Sequence, residues 1–176
     1  MIFLSGLMGS GKTTVGRMLA KKLGWRFTDT DLLVARRSRR SVAKIFSQDG
    51  ERHFRALESQ ALRSLQGRKR LVVAAGGGLV LKAANRQWMR RQGVVVWLDM
   101  SPRQIVKRLN PAQIRKRPLL KAGPAALLRL AAQRRPVYAK AQLKVNAAQA
   151  PARVAAEILR KIGEKAPWVL HDKTAR

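Results

Sequence analysis

Cysteine is absent from the 176 residues, which excludes disulfides and thiolate metal sites. Histidine occurs twice, at His53 and His171, too few for a zinc centre built on imidazoles. Any metal is therefore expected to be oxygen-bound and to arrive with a substrate. Long apolar runs are missing too. The longest uncharged apolar stretch, Leu71 to Leu81, contains three glycines and falls well short of the roughly 20 residues that a membrane helix needs. Met1 to Leu4 has no basic flank and leads straight into a glycine-rich loop, so no signal peptide is expected and the cytoplasm is the expected compartment.

Acidic residues are scarce: 9 Asp and Glu stand against 38 Lys and Arg, a formal net charge of +29. Such a chain carries a strong positive field that attracts anions of every kind. The bases are spread along the whole sequence, which favours a solvated basic surface around an enzyme for anionic substrates. Nucleic acid is expected to bind only non-specifically, through this charge. Five of the acids, Asp29, Asp31, Asp49, Glu51 and Glu58, lie within residues 29 to 58, so that segment needs carboxylates.

What is present has the pattern of one α/β domain, residues 1–163. Short apolar runs alternate with amphipathic stretches, as in a parallel sheet with helices on both faces. Strands are expected at Ile2 to Ser5, Trp25 to Asp29, Leu71 to Ala75, Val94 to Leu98 and Leu143 to Val145. Helices are expected at Lys12 to Leu23, Ser41 to Phe46, Glu51 to Leu65 and Ala83 to Gln92. Ser101 with Pro102 reads as another helix start, and Pro151 opens a last helix that Gly163 can close. Residues 164–176 then form a loose tail. Between Asn110 and Pro124, two further features, Pro111 and Pro118 and the cluster Arg115, Lys116 and Arg117, suggest a functional lid.

Gly6-Leu7-Met8-Gly9-Ser10-Gly11-Lys12-Thr13 matches GxxxxGK[ST] between a buried strand and a helix. The amides of Gly9, Ser10, Gly11, Lys12, Thr13 and Thr14 form the expected phosphate cradle for ATP, with Lys12 reaching the β and γ phosphates and the Thr13 hydroxyl on magnesium. Asp29-Thr30-Asp31 ends the second expected strand, where ligands gather in an open parallel sheet. Alternation along a strand puts both carboxylates on one side. One suits a magnesium shell and the other an acceptor hydroxyl, while a helix cap is the bland use of either. Gly76, Gly77 and Gly78 follow the third strand at the same edge, permitting close backbone approach to a ligand or forming a flexible turn.

GLMGSGKTT, DTD, GERHFRALE, AAGGG, RKRPLL and QRRPVY follow one another in an order that resembles the shikimate kinases. The resemblance covers most of the chain. It implies a P-loop NTPase of the nucleoside-monophosphate-kinase type, three layers with a five-stranded parallel sheet flanked by helices and a lid loop. It implies transfer of the ATP γ-phosphate to the 3-hydroxyl of shikimate. Asp31 would then hold that hydroxyl, leaving Asp29 with Thr13 for magnesium. Arg55 and Arg134 would grip the carboxylate, with Arg135 as rival to Arg134, and Gly76 to Gly78 would contact the ring. Two guanidinium forks suit a carboxylate. Arg117 resembles the lid arginine that closes on the phosphates, with Arg115 as competitor. Arg108 and the segment near Gln149 and Pro151 would enclose adenine. A monomer is the expected state.

The chain departs from the family at Ala35 and Arg39, where an acid and a glycine are common; with Arg36, Arg37 and Arg40 they form a basic patch. Trp25, Trp88, Trp97 and Trp168 lie outside any stacking motif and read as packing residues. Glu58, one turn after Arg55, can buttress it or form a plain surface ion pair. Two other functions compete: a kinase of another hydroxy acid such as gluconate, and a kinase-fold protein that binds nucleic acid.

Overall fold

In the centre of the sheet, four- to six-residue apolar runs make strands because helices cover both faces. The computed structural model describes residues 1–108 and 123–170. Strands β1 (Ile2–Ser5), β2 (Arg26–Asp29), β3 (Leu71–Ala74), β4 (Val94–Asp99) and β5 (Leu143–Asn146) form one sheet in the order β2-β3-β1-β4-β5. Every neighbouring pair is parallel, with Leu4 opposite both Ala74 and Val96. β1, β3 and all but the end of β4 are buried.

The helices are α1 (Lys12–Leu23), α2 (Thr30–Ser38), α3 (Val42–Arg63), α4 (Ala83–Gln92), α5 (Pro102–Arg108), α6 (Gly123–Tyr138) and α7 (Pro151–Lys165). Strand alternation sends neighbouring side chains to opposite layers. Leu4 faces α1, where a Cβ on Gly16 would lie 3.3 Å from it. Phe3 meets Trp88 of α4 edge-on at 6.1 Å, and Trp97 stacks on Tyr138 of α6 at 6.2 Å. Three of the four tryptophans are buried or half-buried; Trp168 is exposed. A smaller cluster of Val34, Ile45, Phe54 and Ala61 ties α2 to α3, so the segment after β2 has its own core.

Two expectations need correction. The strand ending in Asp-Thr-Asp stops at Asp29, and α2 begins at Thr30. Asp29 caps that helix, its carboxylate accepting from the Asp31 amide at 3.0 Å, so alternation along a strand does not relate the two aspartates. The two helices expected around residue 50 are both present within α3, separated by a kink at Gly50, whose φ 77° and ψ 173° are not helical. The last helix passes through Gly163 to Lys165 and is followed by a 3₁₀ turn at Pro167–Val169. Ala166 and Val169 are buried because the stripe of Ile158 and Ile162 continues at helical spacing. Residues 164–170 are thus tied to the core through Ala166 and Val169 and are not a loose tail, while 171–176 lie outside the described residues.

Candidate active site

The sheet's carboxyl edge places the end of β1 between those of β3 and β4, and the chain leaves β1 there into the glycine-rich loop. Gly11 caps α1 with φ 89°, a left-handed conformation that glycine adopts without strain. The loop amides and the α1 N-terminus face one concavity suited to phosphate. The Ser10 hydroxyl is buried there without a hydrogen-bond partner among the described residues, an orphan that a phosphate oxygen would satisfy. Lys12 folds over its own loop, its Nζ donating to the carbonyls of Gly6 and Leu7 at 2.8 Å each.

Thr13 at the start of α1 and Asp29 at the end of β2 meet beside this concavity. The Thr13 hydroxyl donates to Asp29 Oδ2 at 2.9 Å, while Asp29 Oδ1 caps α2. Hydroxyl and carboxylate oxygens at a phosphate site are the donor set a magnesium ion favours. Among the described residues no group of three or more His, Cys, Asp and Glu could hold a metal alone, so an ion here would need nucleotide oxygens as well.

Each of the three consecutive glycines leaves room for a different functional side chain. A Cβ on Gly76 would lie 2.3 Å from Glu58 Oε1 and 2.4 Å from Asp31 Oδ1. On Gly77 it would lie 3.3 Å from Arg134 Nη1 and 3.5 Å from the Tyr138 hydroxyl, and on Gly78 2.2 Å from Arg55 Cζ. The glycines therefore let five side chains converge, a stronger demand than the ligand approach expected from sequence.

α3 aims Arg55 into the site by holding it from both directions along the helix. Glu58 Oε2 accepts from Nη1 at 2.6 Å, and Glu51 Oε1 accepts from Nη2 at 2.7 Å and Nε at 3.1 Å. Burial works against the guanidinium charge, but the two glutamates outweigh it and the pKa is raised. Burial pushes the Glu58 carboxyl up to about 7 despite Arg55, with Asp31 adding to the rise. Glu58 is 1 % exposed, so the surface ion pair considered from sequence is excluded.

Arg134 is 4 % exposed, whereas Arg135 turns outward to Asp99 and the Trp97 ring. The α6 helix thus presents only the first of the two arginines to the site. Tyr138, one turn later, donates its hydroxyl to the Gly77 carbonyl at 2.7 Å. Burial raises its pKa, opposed by the neighbouring Arg134. Sequence reasoning passed over this tyrosine although it ends the QRRPVY block, four residues after Arg134 and on the same helix face.

Loop, aspartates, glycines and arginines line one cleft of about 870 Å³ that also reaches Arg108 and Pro151. Arg108 donates to the carbonyls of Ala147, Ala148 and Gln149 at 3.1, 2.7 and 3.3 Å. The Gln149 side chain points to Glu157, so Gln149 borders this end through its backbone. Arg117 and Arg115, with the lid expected over residues 110–124, fall outside the described residues except at the lid's last two positions, which start α6.

A family model described as shikimate kinase matches residues 8–163. The chain belongs to the shikimate kinase family. A shikimate kinase of Parasynechococcus marenigrum is 45 % identical over 99 % of this chain and 90 % of its own. One from Symbiobacterium thermophilum is 48 % identical over 80 % of this chain and 82 % of its own. Among solved structures, a shikimate kinase from Acinetobacter baumannii in complex with shikimate superposes with a TM-score of 0.88 at 36 % identity, covering 94 % of this chain and 93 % of its own. The shikimate kinase family is one of ATP-dependent kinases that phosphorylate a hydroxyl, and the P-loop fold described above is its fold.

Proposed function

We propose that this protein is a shikimate kinase that transfers the γ-phosphate of ATP to the 3-hydroxyl of shikimate, giving shikimate 3-phosphate and ADP. The observation that carries the acceptor assignment is the convergence of Arg55, Arg134 and Asp31 on the triple glycine beside the P-loop. Two guanidinium forks select a carboxylate and the aspartate takes a hydroxyl. A polyol without the acid group would leave both arginines without their anion.

Lys12 exchanges its loop carbonyls for phosphate oxygens when nucleotide binds. Gly9, Ser10, Gly11, Thr13 and Thr14 present the rest of the cradle, and Arg108 with the 147–151 segment borders adenine. Thr13 and Asp29 would hold magnesium, which when bound supplies charge neutralisation at the β and γ phosphates. Asp31 orients the acceptor hydroxyl and accepts its proton. Arg117 closes from the lid on the transferring phosphate, which excludes water from a reaction that would otherwise hydrolyse ATP. The protein works in the cytoplasm as a monomer. Among the described residues no helix is long and apolar enough to cross a membrane.

The test is turnover of a panel of hydroxy acids with ATP and magnesium, run on the native chain and on Asp31→Ala. Shikimate should be the preferred acceptor. Loss of a positioned base lowers turnover by about 10²- to 10⁴-fold, while ATP binding by calorimetry should persist. Exclusive turnover of another acid such as gluconate, or an Asp31→Ala enzyme of near-native rate, would overturn the reading.

A further inference from the structure

The net charge of +29 is not absorbed by the kinase site, and the fold gives part of it a location. All five strands are parallel, so all begin at the edge of the sheet opposite the ATP cleft. We propose that this amino edge is a docking surface for the phosphate backbone of duplex nucleic acid, built on Arg26, Arg68, Arg70, Arg91 and Lys140.

Each of these residues lies at or just before the start of a strand: Arg26 in β2, Arg68 and Arg70 before β3, Arg91 before β4, Lys140 before β5. The strand order sets them in a row, and at about 4.8 Å between strands the row spans about 19 Å. Backbone contacts tie its parts together: the Arg26 amide donates to the Arg70 carbonyl at 3.0 Å, and the Met1 amine to Gln92 at 3.2 Å. Arg90 bridges onward to the Lys140 carbonyl. Lys21 and Lys22, in the last turn of α1, extend the same end.

All five side chains are exposed, and none pairs with a carboxylate among the described residues. The carboxylates gather elsewhere: Asp29, Asp31 and Asp99 at the carboxyl ends of β2 and β4, Asp49, Glu51 and Glu58 on α3, and Glu157 in the middle of α7 against Gln149 and Lys161. At the amino edge the one carboxylate among the described residues is Glu164, already taken by Arg160. Helix dipoles account for Lys21, Lys22 and Arg91, which end helices. They do not account for Arg26 in a strand or for Arg68 and Arg70 in a loop. Arg70 has φ 51°, a left-handed conformation that glycine would take with less strain.

A row of arginines fits phosphates, which their forks bind through paired hydrogen bonds. A bilayer would ask for apolar anchors as well, and the exposed large apolar residues are Met18, Leu32, Leu81, Leu128 and Trp168. Trp168, after α7, alone follows a helix end at this edge. Strand length, about 13 Å for four residues, separates the row from the cleft, so the enzyme should turn over while bound.

The test compares two triple variants with equal loss of charge, R26E/R68E/R70E and R36E/R37E/R39E, for binding to a 20-base-pair DNA duplex across a salt series. Three lost phosphate contacts should lower affinity at least about tenfold and flatten the log-log salt slope by about 2.7. The second set should change affinity less than about threefold. R26Q/R68Q, which leaves Arg70 in place, should still lose affinity several-fold, and shikimate turnover by the amino-edge variants should match the native chain. Equal losses in both sets would show diffuse charge and overturn the proposal. So would inhibition by duplex competitive with ATP, absence of binding by the native chain, or binding to anionic phosphatidylserine vesicles without binding to duplex.

Discussion

The guanidinium of Arg55 occupies the space into which Gly78 would project a side chain: a Cβ there would lie 2.2 Å from both Cζ and Nη1. Arg55 has little freedom to yield, because Glu58 holds Nη1 itself, Glu51 holds Nη2 and Nε, and the rings of Phe46 and Phe54 lie within 5.8 Å. Gly78→Ala should therefore displace the charge that faces the acceptor carboxylate. A charge-assisted hydrogen bond contributes about 1.5–3 kcal/mol, so KM for shikimate should rise at least about tenfold, with KM for ATP within about twofold of native. Gly77→Ala meets its nearest neighbour only at 3.3 Å and should do less. A coupled assay on both variants checks the order, and equal effects would remove Arg55 as the cause.

Glu58 should make acceptor binding depend on pH near neutrality. Burial raises its pKa to about 7, so below that value the carboxyl is neutral and Arg55 offers its charge to the substrate undivided. Above it, a carboxylate competes for the same guanidinium. KM for shikimate should rise with pH through about 7. Glu58→Gln keeps an acceptor for Arg55 Nη1 without the charge and should hold KM near its low-pH value. Stability has the same sign. The folded pKa lies above the ordinary 4.5, so this group's contribution is full below about 4.5 and is lost as pH rises through about 7. A denaturant series from pH 5 to 8 on native and Glu58→Gln chains should show the slope in the native chain alone.

The P-loop and the central strands were legible because each rests on local pattern: glycine spacing, and apolar runs buried on both faces. The Asp-Thr-Asp segment was misread because β2 is an edge strand with half-exposed residues, and nothing in its pattern separates its end from the start of α2. The preference for Arg134 over Arg135 rests on the resemblance and not on the residues' own pattern. Adjacent arginines on a helix differ by about 100° in direction, and it is the packed fold that buries Arg134 while Arg135 lies over the Trp97 ring. Of the triple glycine the sequence offers a close approach to a ligand or a flexible turn; the crowding of Gly76 by Glu58 and Asp31 and of Gly78 by Arg55 is a further demand that only the fold reveals.

Tyr138 should act as a positioning residue. Its hydroxyl fixes the Gly77 carbonyl at 2.7 Å while its ring stacks on Trp97. Tyr138→Phe keeps the ring and leaves that carbonyl with one partner fewer, a change of about 0.5–1.5 kcal/mol. KM for shikimate should rise roughly two- to tenfold, in keeping with that energy, with kcat and KM for ATP nearly unchanged. A purely structural role would instead lower Tm and leave the KM ratio of the two substrates as it was.

Asp29 carries two duties on its two oxygens, and two substitutions separate them. Oδ1 caps α2 by accepting from the Asp31 amide at 3.0 Å, and Oδ2 accepts from the Thr13 hydroxyl at 2.9 Å. Asparagine caps a helix about as well as aspartate, so Asp29→Asn should keep Tm near native while losing the negative charge that attracts magnesium. Its activity should be low at limiting magnesium and recover substantially as magnesium is raised. Asp29→Ala loses the cap as well, about 1 kcal/mol, which for a chain of this size lowers Tm by about 2–4 °C. Its effect should also reach the acceptor, because α2 begins with the turn that carries Asp31. Excess magnesium should therefore rescue the asparagine variant and leave the alanine variant with a raised KM for shikimate. Identical magnesium titrations for the two would place the function of Asp29 in the cap alone.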